Sequence, residues 1–104
     1  MRGVDLAIYA DALAGEAASL AARAERARSR LRQAAIEKRA RKELTGVAVE
    51  RLESLGLLGA VDEVAARKEL RELEAALDAL EELQSWVEGE LSADVFSKMP
   101  ALEN

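Results

Sequence analysis

The stretch Ala66–Leu91, ARKELRELEAALDALEELQSWVEGEL, decides the fold. Its apolar side chains recur at Ala66, Leu70, Leu73, Leu77, Leu80, Val87 and Leu91, and Gln84 holds the one polar position of the series. The steps alternate between four and three. That spacing keeps a single stripe turned toward a partner helix, as in the a/d seam of a coiled coil. Gln84 in such a seam weakens packing and sets register or oligomeric state. A stripe this narrow does not hold a helix by itself, so the rest of the chain has to supply a partner.

The matching stripe lies near the N-terminus. Asp5 is placed to cap a helix whose apolar positions are Leu6, Ala10, Leu13, Ala17, Leu20, Ala24, Ala27, Leu31 and Ala34. Every second position is Ala, which lets two helices approach closely. Beyond Ala34 the stripe shifts to Ile36, Ala40, Leu44 and Val47, then Leu52 or Leu55. Thr45-Gly46 falls inside this run. It can kink a continuous helix or cap a short separate one, and the unbroken apolar period favours continuity. Gly56 is expected to end the helix in the left-handed region, and Asp62 to cap the next one.

These signals predict an all-α fold, an antiparallel coiled-coil helical hairpin in one domain. The first helix is expected over about 5–55 with a kink near Thr45-Gly46, the turn over 56–62, the second helix over about 63–91, and a flexible tail over 92–104. With the turn there, the basic segment 23–42 pairs with the acidic stretch 75–94. The return helix is then too short to cover the first, and Leu6 to Ala24 keeps an exposed seam. Leu6, Leu13 and Leu20 would be its partner contacts, made to a second copy in a homodimer or to another helical protein. Trp86 beside the seam covers the open hairpin end or serves as an interface hot spot. Phe96 sits in the tail with Val95, Met99 and Leu102, either as a flap on the hairpin end or as a short peptide that docks in a partner groove.

Composition narrows the function. The chain has 104 residues, and half are apolar, but only Tyr9, Trp86 and Phe96 are aromatic. Such an Ala- and Leu-rich, highly charged chain suits long paired helices. There is no Cys and no His, which removes thiolate metal sites, the commonest general base and the commonest transition-metal ligand. Ser29, Ser54 and Ser85 therefore have no activating base, and Glu81 and Glu82 point apart on a helix. No catalytic residue, metal site or cofactor is expected, and the chain is expected to be non-enzymatic. The net charge of −5 argues against bulk nucleic acid as a partner. No apolar run approaches a membrane span, and the expected location is the cytoplasm.

The basic run from Arg23 to Lys42 is the sharpest local feature. It reads first as a solvated face paired with the acidic helix, and second as a grip for an anionic ligand. Glu25, Ser29 and Arg32 stand at i, i+4 and i+7 on one helical face, with Arg26, Arg30, Gln33 and Glu37 around them. This resembles the E-x3-S-x2-R start of the pattern by which actinobacterial anti-sigma factors bind cyclic di-GMP. The closing Q-x3-D positions of that register hold Ile36 and Ala40, and Gln33 and Glu37 resemble the closing pair one turn earlier. The resemblance implies a regulator that holds a sigma factor, with a cyclic dinucleotide on this stripe. The strings Ala24-Glu25-Arg26-Ala27-Arg28, Glu37-Lys38-Arg39 and Glu50-Arg51-Leu52 look like the FliJ and YscO type of type III export proteins. That likeness implies an antiparallel hairpin contacting an export ATPase and chaperones. The leading expectation is a protein–protein interaction module, an adaptor, export-chaperone or stalk-like protein; the alternative is the anti-sigma-like regulator.

Overall fold

The computed structural model describes residues 3–98, and the side chains of residues 5–93. The fold is an all-α helical hairpin with coiled-coil packing. Three helices follow one another: α1 over Gly3–Glu43, α2 over Gly46–Ser54 and α3 over Glu63–Lys98. The chain divides into two compact units, Met1–Ala21 with Ala75–Asn104, and Ala22–Glu74. Both α1 and α3 contribute a segment to each.

The seam read from the sequence is the core. On α1, Leu13, Leu20, Ala24, Ala27 and Ala34 are buried, and Leu6, Ala10, Ala17 and Leu31 are half-buried. On α3, Ala66, Leu73 and Val87 are buried, and Leu70, Leu77, Leu80, Gln84 and Leu91 are half-buried. Ala24 and Ala27 lose all their exposure, so small seam residues do bring helix backbones close. Each buried Leu contributes about 1.5–3 kcal/mol relative to an exposed one.

Three expectations fail together, and for one reason. First, α1 does not run to residue 55 but stops at Glu43. Thr45 takes an extended conformation, and its Oγ1 accepts a hydrogen bond from the Ala48 N–H at 3.3 Å, capping α2 as a separate helix. Second, the register moves. Along α1 and α3, Arg28 pairs with Glu74, Arg30 with Glu69 and Lys38 with Glu63. The basic segment therefore meets the start of α3, not the acidic stretch 75–94. Third, the exposed N-terminal seam disappears. Leu13 and Leu20 are only 8% exposed, because residues 75–98 return beside residues 3–21. With that seam covered inside the chain, the ground for expecting a homodimer through it is gone.

The connection between α1 and α3 is built from local hydrogen bonds. Gly56 at φ 72° follows α2, and the Leu57 N–H donates to the Leu52 carbonyl at 2.9 Å while the Gly56 N–H donates to that of Glu53 at 3.0 Å. This is the expected left-handed helix stop, in its two-bond form. Asp62 caps α3, its Oδ1 accepting from the Ala65 N–H at 3.0 Å. Residues 92–98, expected to be flexible, continue α3. Phe96 has its side chain outside the described residues, and Met99 and Leu102 lie outside them altogether.

Candidate interaction surfaces

The unit of residues 22–74 is laced with ion pairs. Three join α1 to α3: Arg28–Glu74 at 3.3 Å, Arg30–Glu69 at 2.8 Å and Lys38–Glu63 at 3.1 Å. Arg41–Glu53 at 2.8 Å ties α1 to α2. Glu25 binds Arg32 at 3.0 Å and Arg28 at 3.5 Å, and Arg67 reaches back to Glu63. The Arg32 guanidinium, more than Arg28, holds the Glu25 carboxyl below the usual glutamate range. Lys38, then Arg67, does the same for Glu63. Glu63 is half-buried and the other groups are more open to solvent, so the pairs fix register more than they add stability.

Glu37 differs from these. It is only 7% exposed, one turn beyond Ala34 on the buried side of α1. Its Oε1 accepts the Gly59 N–H at 2.9 Å, and its Oε2 accepts Gln33 Nε2 at 3.0 Å. A carboxylate inside a helix pair is costly unless hydrogen-bonded, and here it holds the loop that leads into α3. The seam thus continues through Glu37, while Ile36, expected on it, is 69% exposed.

The structure brings some sequence-selected residues together and leaves others apart. Glu25 meets Arg32, and Gln33 meets Glu37, within the chain. Arg30 is committed to Glu69, while Ser29 and Arg26 are exposed. An anion on this stripe would have to displace internal carboxylates from Arg28, Arg30 and Arg32. Of the expected partner contacts, Leu13 and Leu20 are buried, Leu6 is half-buried and Trp86 is 63% exposed. Among the described residues, no group of three or more potential ligands could hold a metal ion.

Exposed apolar side chains collect instead where the chain reverses. Ile36, Ala40 and Leu44 line a shallow depression with Arg39 and Glu43. Val47 and Val64 are each 79% exposed, and Leu55 and Leu57 are 53% and 58% exposed. The sequence reading assigned several of these to the core. For Val47 and Leu55 the separating signal is Thr45, which starts a separate helix; Ile36 lies off the stripe that runs through Ala34 and Glu37.

Fold and surfaces together define a helical hairpin with exposed apolar positions at its reversal. No family model, curated protein or solved structure matches the chain. Among the described residues, no helix is long and apolar enough to cross a membrane.

Proposed function

We propose that this chain is a non-enzymatic helical interaction module, an adaptor or chaperone-like protein that engages a helical partner through its reversal. One observation carries the reading. Ile36, Leu44, Val47, Leu55, Leu57 and Val64 all keep 45% or more of their surface exposed. Isolated exposed apolar residues are ordinary, but a set of large ones along a reversal is the composition of a docking surface. Capping by Thr45, Gly56 and Asp62 holds the reversal in one conformation, which lowers the entropy cost of binding.

Site-specific photocrosslinking in the native host tests it. A photoreactive residue at Val47 or Leu57 should yield a discrete adduct that a label at the exposed Ala18 does not. The adduct should vanish when Leu44 and Leu55 are changed to Glu. Identical adducts from all three labels would overturn the reading.

A further inference from the structure

The unit formed by residues 3–21 and 75–98 carries a second surface that the reversal does not account for. The buried seam fixes the heptad: Leu13, Leu20, Leu73 and Val87 are d positions, and Ala10 and Gln84 are a positions. In the other unit the flanking positions carry opposite charges. Arg30 and Glu69 are a g–g′ pair at 2.8 Å, and Arg28 and Glu74 an e–e′ pair at 3.3 Å. Two heptads along, the same positions hold different chemistry. The g positions are Tyr9 and Glu16 on α1, Leu83 and Glu90 on α3. Trp86, at c, lies on the same flank.

This flank is both apolar and uncompensated. Trp86 is 63% exposed and Tyr9 40%, and Leu83 is half-buried. Residues 5–21 and 75–93 hold the carboxylates of Asp5, Asp11, Glu16, Asp78, Glu81, Glu82, Glu88 and Glu90, and no Lys or Arg. Coiled-coil flanks acquire partners by opposite charge at g and e. Here the cation that the flank requires is absent from residues 5–21 and 75–93.

We infer that the Tyr9–Leu83–Trp86 flank docks a cationic amphipathic helix of a partner protein. Its apolar stripe would cover the aromatic pair and Leu83, and its Lys or Arg side chains would meet Glu16 and Glu90. Trp and Tyr are the side chains most often found at the energetic centre of such contacts, and an Arg of the partner can also stack on the indole face.

Trp86 is the only Trp in the chain, so it reports its own burial. The probe is a labelled Leu/Lys peptide of about three heptads, with Leu at a and d. It should bind the full chain and shift Trp86 emission to shorter wavelength, and a Leu/Glu peptide of the same pattern should do neither. Glu16→Lys with Glu90→Lys should weaken peptide binding by about tenfold or more. Glu81→Lys with Glu88→Lys makes the same charge change on the e flank and should weaken it less than about threefold. Far-UV circular dichroism checks that both variants keep their helices. Equal loss from the two double variants, or equal binding of a Leu/Lys peptide with scrambled apolar spacing, would reduce the effect to bulk charge and overturn the inference. So would peptide binding without a Trp86 shift, absence of binding, or a Trp86 shift produced by self-association alone.

Discussion

Residues 22–74 and residues 3–21 with 75–98 are cut from the same two long helices, yet they close their flanks in opposite ways. The first unit packs α1 through Ala24, Ala27 and Ala34 and surrounds that narrow seam with ion pairs. The second packs through Leu13, Leu20 and Val87, and its residues 5–21 and 75–93 carry carboxylates and no Lys or Arg. Ala buries little apolar area, so the first unit's alignment depends on charge, on the capped reversal and on Glu37. Large Leu side chains bury more, so the second unit tolerates an excess of like charge. Several charges of the first unit are engaged with one another, whereas residues 5–21 and 75–93 carry no cation to engage theirs.

The largest effect that should separate the units comes from Leu13→Glu. It places a carboxylate in a seam that is already surrounded by acid, and an unpaired buried charge costs several kcal/mol. Amide exchange should accelerate in residues 3–21 and 75–98, while helical amides of residues 28–38 and 63–74 keep their protection. Uniform acceleration would show that the two units open as one. In the other unit, Leu73→Ala should cost about 2–4 kcal/mol in a denaturant melt. An unchanged midpoint would remove Leu73 from the core.

Glu37→Ala sharpens the contrast at a single side chain. It removes the acceptor of the Gly59 N–H and leaves a seam position half empty, for a loss of about 1–3 kcal/mol. Exchange of the Gly59 amide should rise more than that of any other loop amide. A loss confined to α1 amides would mean that Glu37 acts through its helix and not through the loop.

Much of this architecture was legible in the sequence, and the failures share a cause. The seam from Leu6 to Ala34 and from Ala66 to Leu91 follows from period alone, since burial obeys the stripe. Gly56 and Asp62 were readable because each answers a specific backbone demand. The break at Thr45 was readable only as the second of two alternatives, because an apolar period reports which face is apolar and not whether the helix continues. The turn over 56–62 stands, but favouring a continuous helix misplaced the centre of the pairing, set the basic segment against residues 75–94, and created an exposed arm that does not exist. Charge appeared to support the wrong register, because an acidic stretch that really faces solvent resembled the missing partner of a basic one. Leu44 and Val47 were hidden for the same reason, since they look like core until the helix is known to end, whereas Ile36 lies off the stripe that continues through Glu37.

Glycines give a smaller test, with opposite signs. Gly15 and Gly89 lie inside the helices of the acidic unit, with nothing within 4 Å of an added Cβ. Gly15→Ala should stabilise by about 0.5–1 kcal/mol, since Ala loses less entropy in a helix. Gly59 lies in the other unit at φ 81°, where an added Cβ would stand 3.2 Å from the Arg41 guanidinium. Gly59→Ala should cost about 1–2 kcal/mol. The same substitution would thus raise one melting temperature and lower the other; two changes of the same sign would contradict the local conformations.

The smallest expected effect is the pH dependence that the ion pairs of Glu63 and Glu25 add. Glu63 is held below the usual glutamate range by Lys38 and Arg67, and Glu25 by Arg32 and Arg28. A carboxyl with a lower pKa folded than unfolded adds stability that is complete above the unfolded value and disappears as pH falls through the folded one. At neutral pH the wild type should therefore be slightly more stable than Glu63→Gln, and the difference should close as pH falls below about 4.3. Salt should narrow the same gap, because both partners reach solvent. In the acidic unit residues 5–21 and 75–93 carry charges of one sign only, so added salt relieves repulsion and should slow amide exchange there. Salt that slows exchange in residues 3–21 while speeding it in residues 28–38 would separate the two kinds of flank directly. Parallel changes in both stretches would mean that ion pairing does not distinguish them.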